Sequence, residues 1–124
     1  MSYIDGFVIA VPTAEKQKFI DHATMADPVF MEMGATHIIE AWQDDVKDGK
    51  VTDFRRAVQA TGDESIVFSW ITWPDKATRD AGFAKMMAED FNDPRMNKDT
   101  NPMPFDGARM IYGGFVPVLE LGGK

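Results

Sequence analysis

"SIVFSWITW", residues 65–73, is the stretch on which the fold turns. It is dense in β-branched and aromatic side chains and is bounded by turn formers, Gly62-Asp63 before it and Pro74-Asp75 after it, so it reads as a strand. Successive strand residues point to opposite faces. Ile66, Phe68 and Trp70 therefore share one face, and Val67, Ile71 and Trp73 share the other. Both faces are apolar, so both must be covered. A strand at the edge of a half-solvated sheet would alternate apolar with polar instead.

Downstream of this strand, Pro74-Asp75 opens a helix that the spacing carries through about residue 90. Ala77, Ala81, Ala84 and Ala88 lie along one side of it, with Phe83, Met86 and Met87 beside them. Asp93-Pro94 reads as the cap and first residue of a short helical turn. The loop "MNKDTNPMPFDG" then leads to a fourth strand, Arg109 to Val118, interrupted by Gly113-Gly114. Those glycines weaken or bulge the strand, or let another backbone approach. The tail "ELGGK" reads as loose.

Upstream, "VTDFRRAVQA" carries a short helix capped by Thr52 or Asp53 and anchored by Phe54. The acidic "DDVKDGK" is a solvated loop. "ATHIIEAWQ" (Ala35 to Gln43) is a second strand. Before it, Phe19, Ala23, Ala26, Phe30 and Met33 recur at helical spacing, with Thr13 as the expected cap and Gly34 as the stop. Asp27-Pro28 either kinks this helix or starts a second short one capped by Asp27. The first strand, "YIDGFVIAV", sets Tyr3, Phe7, Ile9 and Val11 against Ile4, Val8 and Ala10.

The order is thus β-α-β-β-α-β, read as one domain over residues 1–124. It predicts an α+β, ferredoxin-like subunit: a four-stranded antiparallel sheet, both helices on one face, the second and fourth strands at the edges. Pro117 suits an edge. Two helices cover only one apolar sheet face, and the other would be a larger exposed patch than a monomer tolerates. The reading therefore expects a homodimer with two sheets packed face to face. The competing reading folds loops 44–62 and 92–106 over the open face.

Composition narrows the function. Lys plus Arg number 13 and Asp plus Glu 20, a formal net charge of -7. Such a field repels phosphate backbones, and the basic residues form no stripe, so no nucleic-acid partner is expected. The chain has no cysteine, which removes disulfides and thiolate chemistry and suits a reducing compartment. The first residues show neither a basic run nor a cleavage-site pattern, and no apolar run approaches a membrane span. No signal peptide or membrane partner is expected, and the location read from this is cytoplasmic.

No phosphate loop, dinucleotide fingerprint or nucleophile elbow is present. His37 and Glu40 stand three apart on a strand and face opposite ways, so they do not converge on an ion. His22, beside Asp21 on a helix, reads as a solvated histidine. No metal and no cofactor is expected, and no catalytic residue can be named. The ligand-binding candidates are Asp5, Glu40, Trp42, Trp70, Arg109 and Tyr112. Asp5 and Glu40 interrupt apolar strands. Facing an inter-sheet interior, either would need a partner and would have a raised pKa. The plainer reading sends them to solvent or to an arginine such as Arg109. The aromatic candidates line a pocket or pack an interface core.

The stretches "YIDGFVIAVP", "DGKVTDF…AV", "FSWITWPD", "DPRM" and "MPFDGARMIYGGF", in this order along nearly the whole chain, resemble the YbaA-like bacterial family, domain of unknown function 1428. Two departures are Arg55, in place of a proline, and the Asp27-Pro28 pair. The resemblance implies a dimeric α/β barrel, in which ferredoxin-like subunits pair through their sheets. It brings no established activity and no catalytic residues. Wider relatives of the barrel include cofactor-free monooxygenases, haem-handling enzymes and proteins without a known reaction, and fold alone does not choose among them. The functional expectation is a small apolar or aromatic ligand held between the sheets. The alternatives are a packed, non-catalytic dimer acting through protein association or stress adaptation, and a cofactor-free monooxygenase-like enzyme.

Overall fold

A computed structural model describes residues 2–122. Its main elements are β1 (Tyr3–Pro12), α1 (Lys16–Glu32), β2 (His37–Trp42), α2 (Phe54–Ala57), β3 (Glu64–Trp73), α3 (Lys76–Met86) and β4 (Ile111–Phe115). Single 3-10 turns precede α1 and lie at Pro94–Met96 and Gly107–Arg109. The sheet is four-stranded and antiparallel in the order β2-β3-β1-β4, so β2 and β4 are its edges, as the βαββαβ pattern predicts.

The register fixes the two faces. Tyr3 pairs with Trp73, Asp5 with Ile71, Phe7 with Ser69, and Ile9 with Val67. These residues turn toward α1 and α3, where Tyr3, Ala35, Ile71 and Trp73 form one buried cluster and Ile9, Val11, Phe19 and Val67 another. The opposite face carries Ile4, Gly6, Val8 and Ala10 of β1 beside Thr72, Trp70, Phe68 and Ile66 of β3. Both predicted alternations hold.

Several boundaries move, each for a local reason. Thr13 does not cap α1; its hydroxyl hydrogen-bonds that of Ser65 at 2.7 Å, and no side chain caps that end. Asp27 is not a cap either, because α1 runs unbroken through Pro28. Gly34 ends the helix with φ +116°, a left-handed value that glycine adopts at little cost. The second long helix stops at Met86 rather than near residue 90. Its start is as expected, with the Asp75 carboxylate accepting from the Thr78 N–H at 2.7 Å. The short α2 is capped by Asp53 through the Arg56 N–H, at 2.8 Å.

The fourth strand begins at Ile111, since Gly107–Arg109 is spent in a turn that the Asp106 side chain caps. It ends at Phe115, so Pro117 lies beyond the pairing. It is not bulged: Gly113 and Gly114 pair in register with Gly6 and Asp5. The approach they permit comes from a side chain. A Cβ on Gly114 would lie 2.2 Å from the Tyr3 hydroxyl oxygen. Of the tail predicted to be loose, Gly123 and Lys124 lie outside the described residues.

The two long loops divide between the faces. Residues 54–60 cover one end of the open face, with Val58 and Ala60 against Val8, Ala10 and Ile66. The segment 92–106 goes to the helix side instead, where Phe105 packs 6.1 Å from Phe19 and Asn101 reaches His22. The rest of the open face stays uncovered. Phe68 is 44% exposed, Ile111 45% and Phe115 62%.

Candidate functional site

The six sequence candidates do not gather. Asp5, Glu40, Trp42 and Tyr112 lie on the helix side of the sheet, and Trp70 lies on the open face. The expectation that Asp5 or Glu40 faces an inter-sheet interior is therefore corrected: the register turns both beneath the helices.

Asp5 is a structural anchor, 3% exposed. It accepts from Trp73 Nε1 at 2.9 Å and from two nitrogens of Arg79, at 3.1 and 2.9 Å. The Arg79 guanidinium lies over the Tyr3 and Phe83 rings, 5.2 and 4.3 Å from their centroids, which fixes it for the bidentate pair. Asp5 thus finds an arginine, but Arg79 rather than Arg109.

Arg109 is engaged elsewhere. Its Nη1 and Nη2 donate to the Glu64 carboxylate at 2.8 and 2.6 Å, its Nε to Asp106 at 3.0 Å, and Nη1 also to the Gln59 carbonyl at 2.8 Å. The guanidinium holds the Glu64 carboxyl down at about 2. Arg109 therefore ties the C-terminal motif to the start of β3 and to the left-handed Gln59, φ 53°. Tyr112 is 73% exposed and stacks on Phe7, with centroids 6.2 Å apart. Trp70 packs edge-on against Phe68 at 5.5 Å.

Glu40 has a different environment. It projects from edge strand β2 toward α1, and Asp27 projects from α1 toward it. The two carboxyls are close enough to influence each other's charge, and the Ser69 side chain stands beside Glu40. Ser69 is register-paired with Glu40 and is 3% exposed.

Burial raises both carboxyl pKa values, and mutual repulsion raises Glu40 further, toward about 9, because two neighbouring carboxylates do not both ionise easily. Of the two, Glu40 is the one whose environment favours the protonated form at neutral pH. Glu40 is also an exposed residue on its outer side. Water reaching that side moderates the rise.

This pair sits where two cavities meet. An open cleft of about 690 Å³ runs between α1 and β2, walled by Phe19, Ile20, Met31, Ile38 and Trp42, with Asp27 and Glu40 in its wall. Behind the pair is a chamber of about 170 Å³, lined by Phe7, Ile9, Phe30, Ile71, Phe105 and Met110 and also touched by His22, Asp27, Glu40 and Ser69. The His22 Nδ1 lies 3.1 Å from the Asn101 Oδ1. The Asn101 amide nitrogen donates to the His22 and Arg95 carbonyls, so its Oδ1 must accept and the His22 Nδ1 must carry a hydrogen. In the neutral ring, Nε2 is then an acceptor.

Sequence reasoning missed Asp27, His22, Ser69 and Asn101. Asp27 carried a usable signal: it stands four residues after Ala23 and three before Phe30, inside the stripe predicted to face the core. Ser69 likewise alternates with Val67 and Ile71 on the helix side.

The fold and the cleft together define a class: a ferredoxin-like α+β protein with an acid pair set between its first helix and an edge strand. Residues 2–107 match the model of a protein family of unknown function, DUF1428, and the chain belongs to that family. It is 52% identical, over 97% of its own length and 99% of theirs, to the uncharacterized protein YbaA of Escherichia coli K12 and to that of Shigella flexneri. Among solved structures it resembles a dimeric ferredoxin-like protein from an uncultured marine organism, with a TM-score of 0.61 and 12% identity over 97% of this chain and 98% of that one.

Proposed function

We propose that this chain binds a small molecule with an apolar or aromatic body, in the cleft between α1 and β2, and that two copies pair through their open sheet faces. The observation that carries the binding reading is that Asp27 and Glu40 stand in the wall of an apolar cleft of about 690 Å³ and also line, with Ser69 and His22, a smaller chamber beside it. Ligand sites in proteins are commonly of this kind, mostly apolar with a few convergent polar groups. This reading moves the ligand from between two sheets, where the sequence suggested it, to the helix side of the sheet.

Pairing rests on the open face, where Ile4, Val8, Phe68, Trp70, Ile111 and Phe115 line a shallow groove of about 510 Å³ with almost no polar lining. A stable subunit interface has this character at its centre. The resemblance to a dimeric ferredoxin-like protein supports the same reading.

A thermal-shift screen against a metabolite collection tests the binding reading. At least one compound should raise the melting temperature of the wild type, and Glu40→Gln or Asp27→Asn should reduce that rise. Stabilisation that survives both substitutions unchanged removes the site from the cleft. Sedimentation velocity at low micromolar concentration tests the pairing, and a stable, soluble monomer contradicts it.

A further inference from the structure

Two buried carboxylates elsewhere in the fold are answered by arginine, Asp5 by Arg79 and Glu64 by Arg109. Asp27 and Glu40 are not. Among the described residues no lysine or arginine nitrogen lies within salt-bridge distance of either carboxyl. They stand beside each other, with Ser69 near Glu40, and they border a cleft that is open to solvent.

The same cleft holds a further acceptor. Proline has no N–H, so Pro28 leaves the Thr24 carbonyl without its i+4 donor inside α1. Thr24 and Pro28 both line the cleft. The Thr24 hydroxyl is already committed, donating to the Ile20 carbonyl at 2.7 Å. Asp27, Glu40 and Thr24, whose carbonyl has lost its usual helical donor, therefore line one cleft. With them stand Phe19, Met31 and the Trp42 ring. A lysine ammonium already rests over that ring: Lys16 Nζ lies 5.5 Å from its centroid, so the indole face accepts a cation.

We propose that the ligand class of this cleft is an organic amine with an aromatic or apolar body. Its ammonium donates to the Asp27–Glu40 pair and to the Thr24 carbonyl, and its body lies against Phe19, Met31 and Trp42. This rests on the cleft being the binding site and names the chemistry it takes. The ammonium supplies the positive charge that arginine supplies at Asp5 and Glu64.

Binding is then linked to protons. The titratable groups on the pair's side of the chamber are His22 on α1 and the pair itself; β1, β3 and the segment 96–110 bring only uncharged side chains there. Lys16 and His37 stand along the cleft. An arriving ammonium favours the doubly ionised pair, so Glu40 releases its proton. Affinity should rise with pH through the range in which free Glu40 is protonated and the amine remains charged.

The probes are phenethylammonium, 2-phenylethanol and phenylacetate, which share a body and differ in charge. Isothermal titration calorimetry of the full chain at pH 6 and pH 8, in phosphate and in Tris, reads affinity and proton release together. The expected result is phenethylammonium binding about tenfold tighter than the alcohol at pH 8, with phenylacetate weaker still. Affinity for the amine rises from pH 6 to pH 8, and proton release appears as a buffer-dependent enthalpy. Glu40→Gln, which keeps the shape of the side chain, loses most of the preference for the amine. An alcohol or an acid that binds as tightly as the amine, competing for the same cleft, overturns the amine assignment and leaves the binding reading standing. Amine binding without proton release or pH dependence also overturns it. No binding of any probe at millimolar concentration overturns the assignment and the cleft reading together.

Discussion

At the scale of single residues, the acid pair makes a stability prediction whose sign is fixed. The folded protein holds Glu40's proton to higher pH than the unfolded chain does. The stability contributed by the neutral form is therefore complete below the unfolded value near 4.5 and is lost as pH rises toward the folded one. Glu40→Gln cannot ionise and escapes that loss. Its melting temperature should exceed that of the wild type at pH 8, and the advantage should shrink or reverse near pH 4.5. Glu64 behaves oppositely. Its carboxyl is held down at about 2 by Arg109, so its contribution is present above pH 4.5 and disappears as pH falls toward 2. Arg109→Ala should lower the melting temperature by about 4–8 °C at pH 7 and much less at pH 3. A third residue-scale test separates two neighbouring glycines. Gly114→Ala drives a Cβ into Tyr3 and should cost about 1–3 kcal/mol in urea unfolding. Gly113→Ala meets only Phe115 carbons at 3.5 Å and should cost less.

At the scale of elements, α1 is the informative one. It stays continuous through Pro28 because its buried face, with Phe19, Ala23, Ala26 and Val29, is held against the sheet. Packing of an amphipathic face outweighs the local penalty of proline. Pro28→Ala would restore the i+4 bond to Thr24. It should raise unfolding stability by about 1 kcal/mol, measured by denaturant titration, while weakening any ligand that uses the Thr24 carbonyl.

The same element shows where the sequence stops being legible. The strands were readable because β1 and β3 are near-continuous runs of apolar, β-branched and aromatic residues bounded by turn formers. The cap at Asp93, the helix start at Pro74-Asp75 and the choice of Thr52 or Asp53 before α2 were readable because Asx capping is local. Asp27 fits two local patterns at once, a cap before proline and a position on the buried stripe. Only the docking of α1 on β2 decides between them. The candidate site was half legible for the same reason: Glu40 and Trp42 belong to it, but the other members arrive from α1, β3 and the 92–106 segment through tertiary packing. Arg109, Asp5, Tyr112 and Trp70 stood out as polar or aromatic residues in strands, a criterion that does not separate structural anchors from ligand groups.

At the scale of the whole molecule, the sheet divides two tasks between its faces. The helix side holds the Asp5–Arg79 anchor, the chamber and the cleft; the open side is the proposed contact with a second copy. Phe68 and Trp70 lie at the centre of that contact. Phe68→Glu should convert the dimer to a monomer in sedimentation velocity without abolishing the fold, since Phe68 is 44% exposed in the single chain. Ligand binding in the cleft should survive this change, because the acid pair lies on the other side of the sheet.

The functional account centres on the Asp27–Glu40 pair in the cleft wall, and it expects the two carboxyls to titrate as a coupled pair with Glu40 raised. Carbon-detected NMR titration of the side-chain carboxyls in the intact protein tests it most directly. The account predicts that the Glu40 carboxyl carbon titrates above pH 7, with a smaller coupled shift at Asp27. Separate, independent titrations of both groups between pH 3 and 5 would contradict it.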